Sequence, residues 1–374
     1  MRIRRINTTL SGDVRQFIQF PFDLYGDCAL WVPPLVSDMK LVLNRQKHPF
    51  YRHSSADFFL AEDEGRTMGR IGVFENRSYN QFNQCKAAFF YYFESVQDVN
   101  VARALFDAVC GWASERGLTE VIGPKGPGAG DGIGLLVEGF QHRPAMGIPY
   151  NYAYYPTLLE ECGFEKRGDL LSGYLSGHHE LSPRVHDLAE KIRERRGFWV
   201  KTFTSKREGR RWIQRIGKAL NEAFSDGPDY YPINDEEMEV AGRQLLTVVN
   251  PRLIKLVMKG EDIVGFLFAF PDLSEALQRI RGRLWPLGWY HLWREMGRTQ
   301  WVNINGLGLL PQFRGVGANA LLYSELAKTL HEFRFEHADI VQVGEENTKS
   351  RAENDALGVQ WYKRHRVYIK TMGR

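Results

Sequence analysis

The spacing of apolar positions along the chain switches period repeatedly, and each switch marks an element. Ile3 to Thr8 alternates as a strand, Asp13 to Tyr25 has a helical period, and Pro33-Pro34 opens a second helical stretch. Asp57 to Phe74 then reads as two β-rich runs joined by a polar turn with a glycine, which predicts a hairpin. An aromatic strand at Ala87 to Glu94, a helix from Val99 to Arg116 and a strand at Thr119 to Ile122 follow. After a glycine-rich stretch comes a short helix, Pro156 to Glu161, with Gly163 as its C-cap.

The same order recurs in the second half. Phe198 to Phe203 reads as a strand, Arg207 to Phe224 and Asp235 to Val249 as helices, and Ile254 to Phe270 as a hairpin. Trp301 to Leu309 (strand), Gly317 to Arg334 (helix), Ala338 to Val343 (strand), Thr348 to Leu357 (helix) and a strand near Arg366 to Lys370 complete it. The halves read as a divergent tandem repeat. The expected fold is α/β, two units each with a mostly antiparallel mixed sheet flanked by helices. The boundary falls in the polar stretch Ser176 to Pro183, giving domains 1–178 and 179–374, the second with an insertion at 271–299.

Composition narrows the class. With 374 residues, 43% hydrophobic and 25% charged, the chain is long enough for two globular cores. A net charge of +4 gives no electrostatic footprint for nucleic acid. Cys28, Cys85, Cys110 and Cys162 show no CxxC spacing, so no zinc or other metal site is expected and the thiols read as reduced. The basic start MRIRRINTTL lacks a following apolar stretch, and the run Ile263 to Phe270 is too short to span a bilayer, so a cytoplasmic location is expected.

Candidate chemistry concentrates in Gly306 to Leu322, where a strand end passes through a glycine turn into an amphipathic helix. Free backbone N–H groups at a helix start, with the positive end of its dipole, make an anion site. Gly315 and Gly317 permit close approach, and Arg314 adds a planar charged donor. A dinucleotide fingerprint fits less well, because Pro311-Gln312-Phe313-Arg314 separates the strand from the first glycine of the turn.

This segment resembles the GNAT family of N-acetyltransferases, whose phosphate turn reads R/Q-x-x-G-x-G/A after a splayed strand. Arg314, Gly315, Val316, Gly317, Ala318 and Asn319 match, with Asn319 where glycine or alanine is usual. Asn347-Thr348-Lys349-Ser350 and Gly358-Val359 are similar to the family's second segment, with valine in place of phenylalanine. The resemblance implies acetyl-coenzyme A (acetyl-CoA) as co-substrate and no metal. It implies that main-chain groups near Leu307 and Leu309 hold the pantetheine arm and acyl carbonyl, and that Asn347 contacts the cofactor near its thiol. The first half resembles the same fold, but Ser95, Val96, Gln97 and Asp98 replace the turn, and an Asp N-cap would repel phosphate. Domain 1–178 is therefore expected to be degenerate, shaping the acceptor cleft, and 179–374 to bind coenzyme A. Gly134 to Phe140 and Tyr150 to Tyr155 extend the resemblance to tandem GNAT proteins of bacteria.

The catalytic groups are less legible. Where the family often has a tyrosine acid or a glutamate base, this chain has Asn354 and Asn303, neither of which titrates. Glu345, Glu346 and Tyr362 remain as candidates, against the plainer alternative of surface carboxylates and an acceptor that needs no strong base. Trp285, Trp289 and Trp293 recur every fourth residue in a basic insertion, and the expectation is that they pack against the other half or a second copy, with no membrane contact. The glycine-rich stretch Gly123 to Leu136 reads as a mobile loop, and His178-His179 shows no metal spacing. The expected activity is acyl transfer, most simply acetyl, to a small-molecule or peptide amine, with a homodimer as the candidate assembly. Two rivals stand beside it: a non-catalytic acyl-coenzyme A sensor or scaffold, and an aminoacyl or long-chain acyl transferase.

Overall fold

A computed structural model describes residues 1–128, 130–227 and 230–373. In chain order the elements are β1 (Arg2–Arg5), α1 (Ser11–Leu24), α2 (Val36–Leu43), β2 (Ser55–Asp63), β3 (Arg66–Glu75), α3 (Arg77–Asn83), β4 (Ala87–Ser95), α4 (Val99–Ser114), β5 (Glu120–Gly123), β6 (Leu135–Glu138) and α5 (Tyr155–Glu161). They continue with β7 (Glu165–Ser176), α6 (Pro183–Arg196), β8 (Phe198–Thr202), α7 (Lys206–Ala223), α8 (Asp235–Val248), β9 (Ile254–Lys259), β10 (Asp262–Pro271), α9 (Ser274–Ile280) and α10 (Gly288–Met296). The last are β11 (Trp301–Leu309), α11 (Ala318–Glu332), β12 (His337–Gly344), α12 (Thr348–Ala356) and β13 (Gln360–Thr371).

Two compact units emerge, and neither is a single stretch of chain. Unit one holds Met1–Leu170, Ser274–Trp289 and the chain from Lys363 onward; unit two holds Leu171–Leu273 and Tyr290–Tyr362. In unit one the strands lie in the order β1-β2-β3-β4-β5-β13, and in unit two β8-β9-β10-β11-β12-β7. The two orders correspond position by position, with a parallel pair at β4–β5 and again at β11–β12. The expectation that the last strand completes the second unit is corrected here. Tyr368 to Thr371 pair antiparallel with Gly123 to Glu120, so the end of β13 belongs to the sheet of unit one. The C-terminal part of β7 plays the matching part in unit two, where the Gln342 N–H donates to Ser172 Oγ at 3.2 Å.

Each core is built by apolar periodicity. In unit one α4 turns Val101, Leu105, Phe106, Val109 and Trp112 onto the sheet, a helical spacing that buries one face. The Trp112 indole N–H donates to buried Asp57 at 2.6 Å, and Arg45 pairs with the same carboxylate. In unit two the helix α11 buries Ala318, Leu321, Leu322, Leu326 and Leu330 against β9 to β12. The helix α6 is an element that the polar character of its sequence hid. Its signals were present: Pro183 in the first turn, Gly197 in the left-handed region at the end, and Val185, Ala189 and Ile192 at helical spacing.

Two buried histidines tie stability to pH. His365 is fully enclosed with Nε2 3.0 Å from the Pro149 carbonyl, and burial lowers its pKa to about 4. Burial likewise takes His48, whose Nδ1 accepts from the Phe50 N–H at 3.3 Å, to about 4. An unfolded histidine takes up its proton near pH 6.5, whereas these rings stay neutral in the fold until about pH 4. Their contribution is present above pH 6.5 and drains as pH falls toward 4. Urea unfolding at pH 7 and pH 5 should therefore show the parent losing about 2 kcal/mol more than His365→Gln. An equal loss in both proteins would exclude this linkage.

Candidate active site

The site in unit two begins with a strand that is deliberately irregular. Phe268 pairs with Gly306 but Ala269 pairs with Ile304, so Asn305 is an extra residue that bulges β11. On its other side β11 pairs in parallel with β12 only from Trp301–His337 to Ile304–Ile340. Beyond that point the two strands no longer pair, and the segments 305–309 and 341–344 form the arms of a V. Leu307 and Leu309 lie on the first arm, in register with Leu267 and Gly265 of β10. The Leu309 side chain is buried and Leu307 is half-buried.

From the tip of that arm the chain makes one turn of 3₁₀ helix, Pro311–Phe313, and enters the glycine turn. Gly315 and Gly317 both have positive φ, +77° and +87°. Gly317 occupies the N-cap of α11 without any side-chain cap, so the first amides of the helix have no side-chain acceptor from the cap. Val316 is half-buried and Ala318 buried, which seats the turn on the core. Ile192 of α6 reaches over it, with Cδ1 3.2 Å from where a Cβ on Gly317 would stand.

Arg314 sits differently from a free phosphate donor. Its guanidinium donates to Asp226 at 2.5 and 3.2 Å, to the Ala223 carbonyl at 2.6 Å and to the Leu309 carbonyl at 3.3 Å. The pairing with Arg314 lowers the pKa of Asp226. Arg314 thus pins the end of α7 to the arm of β11 in this structure, and Asp226 is a partner that sequence reading missed. Asn319 donates to Glu353 of α12 at 2.8 Å, and the Tyr323 hydroxyl donates to the same carboxylate at 2.8 Å. These two bonds fix α11 against α12. Asn347, past the end of the second arm, caps α12 by accepting from the Ser350 N–H at 3.1 Å.

Of the residues weighed for catalysis, Glu345 is half-buried and Glu346 exposed just past β12. Asn354 is turned into its own helix, donating to the Ser350 carbonyl at 2.8 Å. Tyr362 is better placed, because its hydroxyl donates to Asp339 Oδ2 at 3.0 Å. Burial, reinforced by the charge of Asp339, pushes the phenol well above its usual range and keeps it protonated. Val302, Ile304, Ala338 and Ile340 belong to the core, so the alternating Asn303 and Asp339 project from the opposite face. These two are register partners one residue before the V opens, with exposures of 1% and 2%. Neither atom of the Asn303 side-chain amide has a hydrogen-bond partner among the described residues. Asp339 was also missed in the sequence, although a lone acid inside the apolar run Ala338 to Val341 was a readable signal.

Unit one has the corresponding parallel pair followed by a different turn. Its parallel pair β4–β5 ends at Phe89–Ile122, but Asp98 caps α4 and accepts from the Asn100 N–H at 2.8 Å. Asp98 therefore places a carboxylate at the helix start where unit two has Gly317. Gly123 to Leu136 includes residue 129, which lies outside the described residues; around it Asp131 accepts from the Gly128 N–H at 2.7 Å and Lys125 bridges Ile133. The four cysteines are free thiols, and no cluster of metal-ligating side chains occurs among the described residues.

A bulged strand, a splayed parallel pair and a left-handed glycine turn at a helix start, on an architecture that occurs twice, define the tandem GNAT fold, and this chain has it. A tandem GNAT protein from the clavulanic acid biosynthesis pathway superposes over 100% of this chain and 99% of its own, with a TM-score of 0.57 at 11% identity. By sequence the chain is similar to Protein YghO of Escherichia coli (strain K12), 26% identical over 96% of this chain and 93% of that one. It is also similar to the bacterial ceramide synthase of Caulobacter vibrioides (strain NA1000 / CB15N), 25% identical over 96% and 95% of the two chains. No family model matches the sequence.

Proposed function

We propose that this protein is an acyl-coenzyme A-dependent N-acyltransferase whose acyl donor binds unit two. The observation that carries this is the continuity from the splayed arm 305–309 into a turn whose two glycines have positive φ, at +77° and +87°. The edge of the arm turned away from β10 offers backbone groups with which a pantetheine chain can pair as an added strand would. Amides at the start of α11 suit the pyrophosphate. Leu307 and Leu309 supply the arm, Gly315 to Asn319 the turn, and Asn347 the rim near the thiol.

The proposed chemistry is direct transfer. The amine nitrogen attacks the thioester carbon, the new C–N bond forms as C–S breaks, and the amine proton is taken up by Asp339 and passes to the departing thiolate. Tyr362 holds Asp339 in place, and the partnerless amide of Asn303 stands ready to orient the acceptor or the acyl oxygen. The acyl group is acetyl in the simplest form. A longer acyl chain on a long-chain amine is the second form, favoured by near full-length similarity to a protein named as a ceramide synthase, ceramide being the amide of a long-chain amino alcohol.

Thiol release from acetyl- and palmitoyl-coenzyme A, measured with polyamines, peptides and long-chain amino alcohols, tests both. Release with any amine above the amine-free rate supports transfer, and the donor that is used decides chain length. Tight binding of both donors with no release across the panel would overturn catalysis and leave a sensor.

A further inference from the structure

The insertion between β10 and β11 carries aromatic side chains on its outer surface. Trp285, Trp289 and Trp293 are 85%, 60% and 68% exposed, with Leu287 at 62% and Tyr290 at 42%. The helix α10 turns Leu292 inward, so it has a conventional buried side and a second apolar side made of rings. The Trp289 N–H donates to the Leu284 carbonyl at 3.3 Å, which ties the Trp285 loop to the start of the helix. At roughly 150–250 Å² per ring, three tryptophans so exposed present on the order of 400 Å² of aromatic surface, near the top of what a soluble monomer leaves uncovered.

Charge says what fits there. Arg279, Arg281, Arg283, Arg294 and Arg298 of the same segment are all exposed, Arg283 lying over the Phe22 ring, against one exposed acid, Glu275, which lies 3.9 Å from Arg143. Tryptophan and arginine together match the interfacial zone of a bilayer, where an amphipathic ring sits at the headgroup level and a cation meets anionic lipid. No helix among the described residues is long and apolar enough to cross a membrane. We propose that the segment from Arg279 to Arg298 docks this protein onto the surface of an anionic lipid bilayer, the tryptophans entering the interface and the arginines pairing with lipid headgroups.

The test uses the full chain and vesicles of phosphatidylcholine, with and without phosphatidylglycerol. The expected result is co-sedimentation with the anionic vesicles, a blue shift of tryptophan emission, and binding that weakens as salt rises. Replacing Trp285, Trp289 and Trp293 together by serine should weaken partition at least about tenfold while leaving the circular dichroism spectrum unchanged. Glutamine at Arg279, Arg281, Arg294 and Arg298 should remove the preference for anionic lipid. Equal partition of the tryptophan variant and the parent would overturn the proposal, as would failure of the parent to bind either vesicle. A parent dimer that the tryptophan variant converts to monomer, without vesicle binding, would also overturn it and assign the surface to a second copy of the chain. None of these outcomes depends on acyl transfer, so the docking and the proposed activity stand or fall separately.

Discussion

Gly317→Val should cost the protein its affinity for coenzyme A. The position has φ +87°, a region that β-branched residues leave almost empty, and a Cβ would stand 3.2 Å from Ile192 Cδ1. Holding valine there costs about 1–3 kcal/mol, and the turn relieves that strain most cheaply by rotating its amides away from the anion site. Titration calorimetry with coenzyme A should show a dissociation constant raised about 10- to 100-fold, with the variant still folded. Gly315→Ala separates strain from crowding, since its φ is +77° but nothing lies within 4 Å of the added carbon. It should fall between the parent and Gly317→Val. Unchanged affinity in a folded Gly317→Val protein would mean that phosphate binds elsewhere.

The second large effect is expected at Asp339. Asparagine there keeps the volume and can still accept from Tyr362, whose hydroxyl lies 3.0 Å away, but it cannot take a proton. With an accepted amine, Asp339→Asn should lower kcat about 10²- to 10³-fold while KM for the acyl donor stays within about threefold. Tyr362→Phe should have a smaller effect on kcat, because it leaves Asp339 in place and removes only one bond that orients it. A kcat for Asp339→Asn within about threefold of the parent would remove this residue from the mechanism and return attention to an acceptor that arrives neutral.

Much of this architecture was legible in the sequence because it rests on local signals. The hairpins show as period-two runs broken by a turn; at Glu64-Gly65, for example, both residues have positive φ. The glycine turn shows because only glycine adopts its conformation cheaply, and the capping Asp98 shows because a short acid at a helix start has one common use. What escaped was set by long-range pairing. Nothing in Gln360 to Thr371 announces that its end pairs with β5 and not inside its own half. The helix α6 was hidden by its polar residues, although Ile192, about two turns after Val185 on the same face, closes over the glycine turn. Arg314 was readable as a cation but not as the partner of Asp226, since that acid stands far away in sequence at the end of α7. Asn354 and Asn303 stand where the resemblance implies an acid or a base, and the buried Asp339 lies on the neighbouring strand beside Asn303, a pairing that only the folded sheet reveals.

The exchanged end of β13 bears on how the protein is made. A unit whose sheet waits for Tyr368 to Thr371 cannot close while the ribosome is still reading the second half, although most of its residues emerge first. Until then β5 presents an open edge, and such edges recruit other chains. Fast synthesis at high concentration should therefore favour partners that lend one another this strand, so slow expression at low temperature is the sensible route to material free of such exchange.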